Sequence, residues 1–294
     1  MSRSTVKSWI EAMRLRTLPV SLAGVVTAIA YNLLHDNLRL VPAILCMVFA
    51  LLCQVASNFA NEYYDYRAGR DRPGREGPRR GVTEGDITPQ AMRAAVFVTI
   101  GLACTVGLFL VAWGGWWLVA VGAAVALGIF AYSTGPFPLS TNGLGEVAVL
   151  IFFGIVPVTL TYYVQALQWN LDVLLGGVSM GLMGANVLIV NNYRDIDDDR
   201  AVGKRTLAVR LGPRAMQVLY IANAVVAMAL MLPVWIQLGF AAIPVPILTL
   251  TLAVVIAIYL GRRQGAALTP LLAKTSALMC VYALLFILCV SYLG

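Results

Sequence analysis

Apolar runs too long for an ordinary globular core constrain this chain more than any other feature. About nine of them cover approximately 18–34, 42–64, 92–113, 116–132, 146–164, 172–190, 215–236, 241–260 and 269–292. A helix needs about 20 predominantly apolar residues to cross the hydrocarbon of a bilayer. The chain is 60% hydrophobic and 12% charged, whereas a soluble domain is roughly 45–50% apolar and about 25% charged. These observations predict an all-α integral membrane bundle of about nine transmembrane helices. Little sequence is left for a separate soluble part, so residues 1–294 are expected to form a single domain. Two longer connections, about 66–91 and 194–214, are expected to be cytoplasmic cap loops.

The charges orient the bundle. With the N-terminus inside and sides alternating across nine spans, only Arg39 of the 21 Lys and Arg falls outside. That asymmetry is the positive-inside pattern. It implies a bacterial-type cell (inner) membrane, with the N-terminus and both cap loops on the cytoplasmic side. The net charge of +7 is then a matter of topology, and no nucleic-acid partner is expected. Val6, Trp9, Ile10 and Met13, spaced among Lys7, Glu11 and Arg14, suggest an amphipathic helix on the membrane surface. A short apolar core with a small-residue cleavage site is missing there, so the segment does not read as a signal peptide. The five cysteines lie in apolar runs without metal-ligand spacing. A single histidine, His35, excludes a multi-histidine zinc site and suggests a surface role.

Two acidic clusters interrupt this background. One reads Asn61-Glu62-Tyr63-Tyr64-Asp65 with Asp71 beyond it; the other reads Asn191-Asn192-Tyr193-Arg194-Asp195 with Asp199 beyond it. An ionisable side chain costs about 2.5–3.5 kcal/mol at the centre of a membrane helix, so groups near the bilayer are functional candidates by default. Both clusters share Asn-x-Tyr-x-Asp, 130 residues apart (191 − 61 = 130), and close the second and sixth predicted spans. They therefore reach the same face, as a parallel repeat would bring them. Residues four apart share a helix face, which pairs Asn61 with Asp65 and Asp195 with Asp199. Asp71 lies on another face unless Gly69 turns the chain back.

Facing each other, the two helix ends make an oxygen-rich cage. Mg2+ binds through a few carboxylates, waters and substrate phosphates, so the cage suits a diphosphate. Arg67, Arg70, Arg72, Arg75, Arg79, Arg80, Arg194, Lys204 and Arg205 supply donors for the same ligand, although positive-inside loops carry such residues anyway. Glu62, Asp197 and Asp198 are expected to be solvated neighbours or supporting groups. Turn chemistry accounts for Gly135, Pro136 and Pro138 after Tyr132, and Glu146 suits a helix N-terminus. Tyr162, Tyr163 and Trp169 fit an interfacial aromatic belt.

These motifs resemble those of the UbiA superfamily of membrane prenyltransferases, over the length of the chain. Further segments are similar to the branch that prenylates 1,4-dihydroxy-2-naphthoate in menaquinone synthesis. They are Arg16-Thr-Leu-Pro19, Asn61 through Asp71, Gly77-Pro-Arg-Arg-Gly81, Tyr132 through Leu139, Gly143-Leu-Gly-Glu146, Asn192 through Asp197 and Gly203-Lys-Arg-Thr206. Two departures from the commoner pattern favour that branch: the third acid is Asp71 rather than residue 69, and no lysine lies between Ser133 and Asn142.

The resemblance implies transfer of a polyprenyl group from polyprenyl diphosphate to the aromatic acid, with decarboxylation to demethylmenaquinone. It implies Mg2+ as cofactor, with Asn61, Asp65 and Asp71 on one ion and Asp195 and Asp199 on another. Asp65, Asp195 and Lys204 are the expected catalytic residues. Asn61, Arg67, Arg75, Arg80, Tyr132, Asn192, Arg194 and Lys204 are the expected substrate contacts. The partners are these two substrates and membrane lipid, with the tail in an apolar groove and Gly135 leaving room for a two-ring acid. The alternatives are another acceptor such as 4-hydroxybenzoate, or a membrane transporter. Transporters place substrate near the midplane on interrupted helices, whereas these acids gather at helix ends.

Overall fold

The computed structural model describes residues 5–71 and 79–294. Hydrocarbon offers a backbone no hydrogen-bond partner, so a spanning segment must satisfy its own amides. Every predicted apolar run is accordingly helical. In chain order the helices are α1 (Thr5–Met13), α2 (Leu18–Leu34), α3 (Leu40–Arg67), α4 (Pro89–Gly114), α5 (Trp117–Ser133) and α6 (Gly145–Ala166). They continue as α7 (Leu171–Arg194), α8 (Ile196–Ala201), α9 (Leu207–Gln237), α10 (Pro244–Leu260) and α11 (Thr269–Leu293).

Among the described residues six helices are long and apolar enough to cross a membrane, or seven if α1 and α2, bent by 42°, make one span. Helices α5 and α10 are apolar but only 17 residues each. Length and composition therefore establish six or seven crossings of the nine expected. Phe97, Leu108, Phe109 and Leu127 are exposed on α4 and α5, as lipid-facing side chains are.

Local signals set the helix ends. Thr88 caps α4, its hydroxyl accepting from Ala91 N at 3.2 Å, and Asn170 caps α7 by accepting from Asp172 N at 2.8 Å. These side chains satisfy donors that the first helical turn leaves unpaired. Helix α7 is the most enclosed of the long spans, with 67% of its apolar window buried, and it packs between α6 and α9. Gly154 on α6 meets Gly177 and Gly181 on α7 so closely that an added methyl would overlap their backbone. Small residues permit such approach between membrane helices, and here α6 carries a π turn, Leu150–Ile155.

Three local expectations need correction. Helix α1 buries Ser8 and Ala12 and packs on α3, with Trp9 edge-on to Phe59; only Val6 and Ile10 present the exposed apolar face expected of a surface helix. The 194–214 connection is largely helical, comprising α8 and the start of α9, because Thr206 caps α9 on Val209 N. Tyr163 and Trp169 do stack beside Trp117, but Tyr162 is buried and its hydroxyl pairs with His35 Nδ1 at 2.9 Å. Neither of that pair is simply a surface group.

Candidate active site

The end of α3 and the short α8 that follows α7 come together at one end of the bundle, and a lysine joins them. After α8 the chain turns at Gly203, whose φ of +75° suits a residue without a side chain. Lys204 N donates to Asp199 O at 2.9 Å, closing the turn. Lys204 Nζ then lies 3.1 Å from Asp65 Oδ2 and 3.7 Å from Asp199 Oδ1. Arg70 approaches the other Asp65 oxygen at 3.6 Å. Asp195 is held differently: Arg194 grips it with two donors, Nε to Oδ1 at 2.6 Å and Nη2 to Oδ2 at 2.9 Å. The same Nη2 reaches Asn191 Oδ1 at 2.9 Å. Asp65, Asp195 and Asp199 are all buried, so these contacts keep carboxylates out of water at a cost only cationic partners offset.

Around Asn61 the structure gathers two arginines. Arg14 and Arg80 each donate through Nη2 to Asn61 Oδ1, both at 2.9 Å. Gly69 has φ +65° and lets the chain reverse after α3, which brings Asp71 within 3.4 Å of Arg80 Nε. Of the two roles expected for Glu62, a solvated neighbour or a supporting group, its position matches the second. It is completely buried, and its Oε1 accepts from Val82 N at 3.0 Å. Asp197 does match the expectation, with an almost fully exposed side chain beside Arg200.

A cavity of about 350 Å³ unites most of these groups. Asn61, Asp65, Arg80, Tyr132, Asn192, Arg194, Asp195, Asp199 and Lys204 line its polar end. From there it runs between α3, α5 and α6 past Phe49, Val125, Leu160 and Val164. Along α5 the lining extends from Tyr132 to Leu118, about 21 Å at 1.5 Å per residue. Arg67 stays outside: it is exposed and donates to Tyr63 Oη at 3.2 Å. Asp71 sits behind Arg80 rather than in the lining. Arg75 lies outside the described residues, as does Arg72. Gly135 occupies an exposed turn at φ +99° and adds no room to the cavity.

The sequence reading missed Arg14 and the use of Glu146. Arg14 takes a left-handed backbone at the end of α1, which turns its side chain onto Asn61. Only its place beside Arg16-Thr-Leu-Pro19 hinted at a role. Glu146 is buried, and its Oε1 accepts from Asn192 Nδ2 at 2.9 Å. It therefore holds a cavity-lining side chain rather than merely favouring a helix start. Ser140 also lines the cavity, with a buried hydroxyl that makes no hydrogen bond.

Relatives of known type now bear on this arrangement. A model of the UbiA prenyltransferase family matches residues 17–278. The chain belongs to that family. An Escherichia coli protein named 1,4-dihydroxy-2-naphthoate octaprenyltransferase is 37% identical over 215 residues, covering 71% of this chain and 70% of that one. A Mycobacterium tuberculosis relative of the same name is 35% identical over 282 residues, 94% of each chain. Among solved structures, a UbiA homolog from Archaeoglobus fulgidus bound to DMAPP and Mg2+ superimposes with a TM-score of 0.70. The match covers 95% of this chain and 99% of that one at 13% identity, a likeness of fold.

For a UbiA prenyltransferase the donor chemistry can be tested against a hard divalent ion. Asp65 and Asp199 face one another across a single ammonium, and Asp65 Oδ1 is buried without a hydrogen bond. Among the described residues no three His, Cys, Asp or Glu side chains are close enough to hold an ion as they stand, and the carboxylates pair with Lys204 and Arg194 instead. The set nevertheless consists of hard oxygen donors converging on one cavity, which is what Mg2+ takes. The residues fit.

Proposed function

We propose that the protein transfers a polyprenyl group from polyprenyl diphosphate to 1,4-dihydroxy-2-naphthoate, with loss of carbon dioxide, in a Mg2+-dependent reaction. One observation carries this reading: Lys204 ties Asp65 to Asp199 at the head of a long apolar groove. A polyanionic head and a hydrocarbon tail both find their complement there. Relatives named for naphthoate octaprenyl transfer support the choice of acceptor.

Asp65, Asp195 and Asp199 would hold Mg2+, with Asn61 lining the same cavity and Asp71 behind Arg80. When bound, the ion supplies Lewis-acid stabilisation of the departing diphosphate. Lys204, Arg80 and Arg14 line the same end and donate to the diphosphate oxygens as negative charge develops, which is electrostatic stabilisation of the leaving group. The groove holds the tail, since apolar surface gains about 25 cal/mol per Å² on leaving water. The allylic carbon–oxygen bond breaks, diphosphate leaves, and the ring carbon bearing the carboxylate forms the new carbon–carbon bond. Attack turns the neighbouring ring hydroxyl into a protonated carbonyl; carbon dioxide then departs from the carboxylate, and the electron pair it leaves behind restores the aromatic ring and that hydroxyl with no net uptake of a proton. Tyr132, Ser140 and Asn192 supply hydrogen-bonding groups at the acceptor's edge and orient the ring.

In this reading α5 and α10 also cross the membrane. Seventeen residues span about 26 Å, the short end of what a bilayer core requires. The site then faces the cytoplasm with the basic loops. The deciding assay offers equal concentrations of 1,4-dihydroxy-2-naphthoate and 4-hydroxybenzoate with one prenyl diphosphate and Mg2+, and reads product masses together. Prenylated naphthol lacking the carboxyl group is the expected product. A dominant prenylated hydroxybenzoate would overturn the acceptor assignment.

A further inference from the structure

A buried carboxylate that the proposed chemistry does not use stands directly behind the site. Glu62 lies between Asn61 and Asp65 on α3, has no exposed surface, and does not line the cavity. Its Oε1 accepts from Val82 N at 3.0 Å. Val82 belongs to a compact turn whose backbone bonds to itself: Glu84 N to Arg80 O at 3.0 Å, Asp86 N to Gly81 O at 2.8 Å, and Ile87 N to Gly81 O at 3.1 Å. Val82 and Ile87 bury themselves against Phe59 and Met92. The fit leaves no slack at Gly81, where an added methyl would meet Ile87 Cδ1 at 2.9 Å and Glu62 Oε1 at 3.6 Å.

The residue that begins this turn is Arg80, which lines the cavity and bonds Asn61 through Nη2 at 2.9 Å, while its buried Nε, 3.4 Å from Asp71, and its Nη1 make no hydrogen bond. A guanidinium held at one nitrogen with donors to spare is a prepared anion donor. We propose that Glu62 is a positioning residue: by fixing the Val82 amide it sets the turn that delivers Arg80 to the diphosphate. This rests on the proposed function insofar as that places a diphosphate beside Arg80. Glu62 acts two residues away from the contact, through the backbone. Losing its oxygen strands a buried amide donor, and the turn must shift to find another partner.

The test compares Glu62→Leu, Glu62→Asp and Glu62→Gln, alone and combined with Arg80→Ala. It reads binding of a non-hydrolysable polyprenyl diphosphate analogue and steady-state kinetics with both substrates. Glu62→Leu and Glu62→Asp are expected to raise KM for the prenyl diphosphate about tenfold and to lower kcat in parallel with Arg80→Ala, with the KM of the aromatic acid changed less than about threefold. Glu62→Gln keeps an acceptor oxygen and should return to within about threefold of wild type. In the Arg80→Ala background Glu62→Asp should add nothing, as two changes to one device do. If the leucine variant fails to fold, the aspartate variant carries the same expectations. A full additive loss in the Arg80→Ala background, or a glutamine variant as impaired as aspartate, overturns the positioning role. Weakened binding in Arg80→Ala beside unaltered Glu62→Asp overturns this inference alone; wild-type protein that binds no prenyl diphosphate overturns the proposed function together with it.

Discussion

Replacing Asp65 by asparagine removes one negative charge while keeping the side chain's volume and one acceptor oxygen. In the structure Asp65 is buried, with Lys204 Nζ at 3.1 Å and Arg70 at 3.6 Å. A hydrogen bond to a charged group contributes about 1.5–3 kcal/mol, so Asp65→Asn should lower stability by about that amount. Its catalytic cost should be of a different kind. Losing one well-placed electrostatic group typically slows turnover about 10²–10³-fold, or about 2.7–4 kcal/mol of barrier. The double variant Asp65→Asn with Lys204→Met separates the two effects. Deleting both charges of a buried pair is often nearly neutral for stability, so thermal unfolding in lipid nanodiscs should return most of the loss. Single-turnover rates at saturating Mg2+, well below the melting temperature, should stay at least about 100-fold down. Activity that recovers along with stability would refute a catalytic role for both residues, and Asp65→Asn turnover within about threefold of wild type would refute it for Asp65.

The second motif should behave alike: Asp195→Ala is expected to cost at least about two orders of magnitude in kcat, while the exposed Asp197→Ala stays within about twofold, both read by product formation. Chelation should abolish turnover, and added Mg2+ should restore it on the same sample; full activity in excess chelator would rule out metal dependence. Gly181→Ala forces a methyl against the α6 backbone at Leu150 and should lower stability by about 1–3 kcal/mol, measured as a shift in thermal unfolding. With the five native cysteines replaced, a thiol reagent applied from outside should label a cysteine at Gly294 and spare one at Glu84; the reverse pattern would refute the orientation.

Gly69, Gly203 and the paired aspartates show how far local rules reach. A glycine after an amphiphilic helix end marks a chain reversal, and both glycines adopt positive φ where the motifs need the chain to fold back. The two Asn-x-Tyr-x-Asp segments were legible because carboxylates near a bilayer are costly and few. Three helices, α4 to α6, lie between α3 and α7, so the chain reverses an even number of times and both motifs end at the same end of the bundle. Arg67 shows the limit: it sits in the motif by sequence yet faces outward, because the helix angle at residue 67 points it away from the cavity.

The sequence by itself determined the class of fold, the family and the two acidic motifs. Bilayer hydrocarbon imposes a length, a composition and a sign of loop charge that are visible residue by residue. Tertiary structure alone decided the pairings: Lys204 between Asp65 and Asp199, Arg14 and Arg80 on Asn61, Glu146 on Asn192, and Glu62 under the turn that carries Arg80. A buried charge is stabilised by whichever partner lies within about 4 Å. That neighbour is set by how the helices pack, and no local spacing along the chain encodes it.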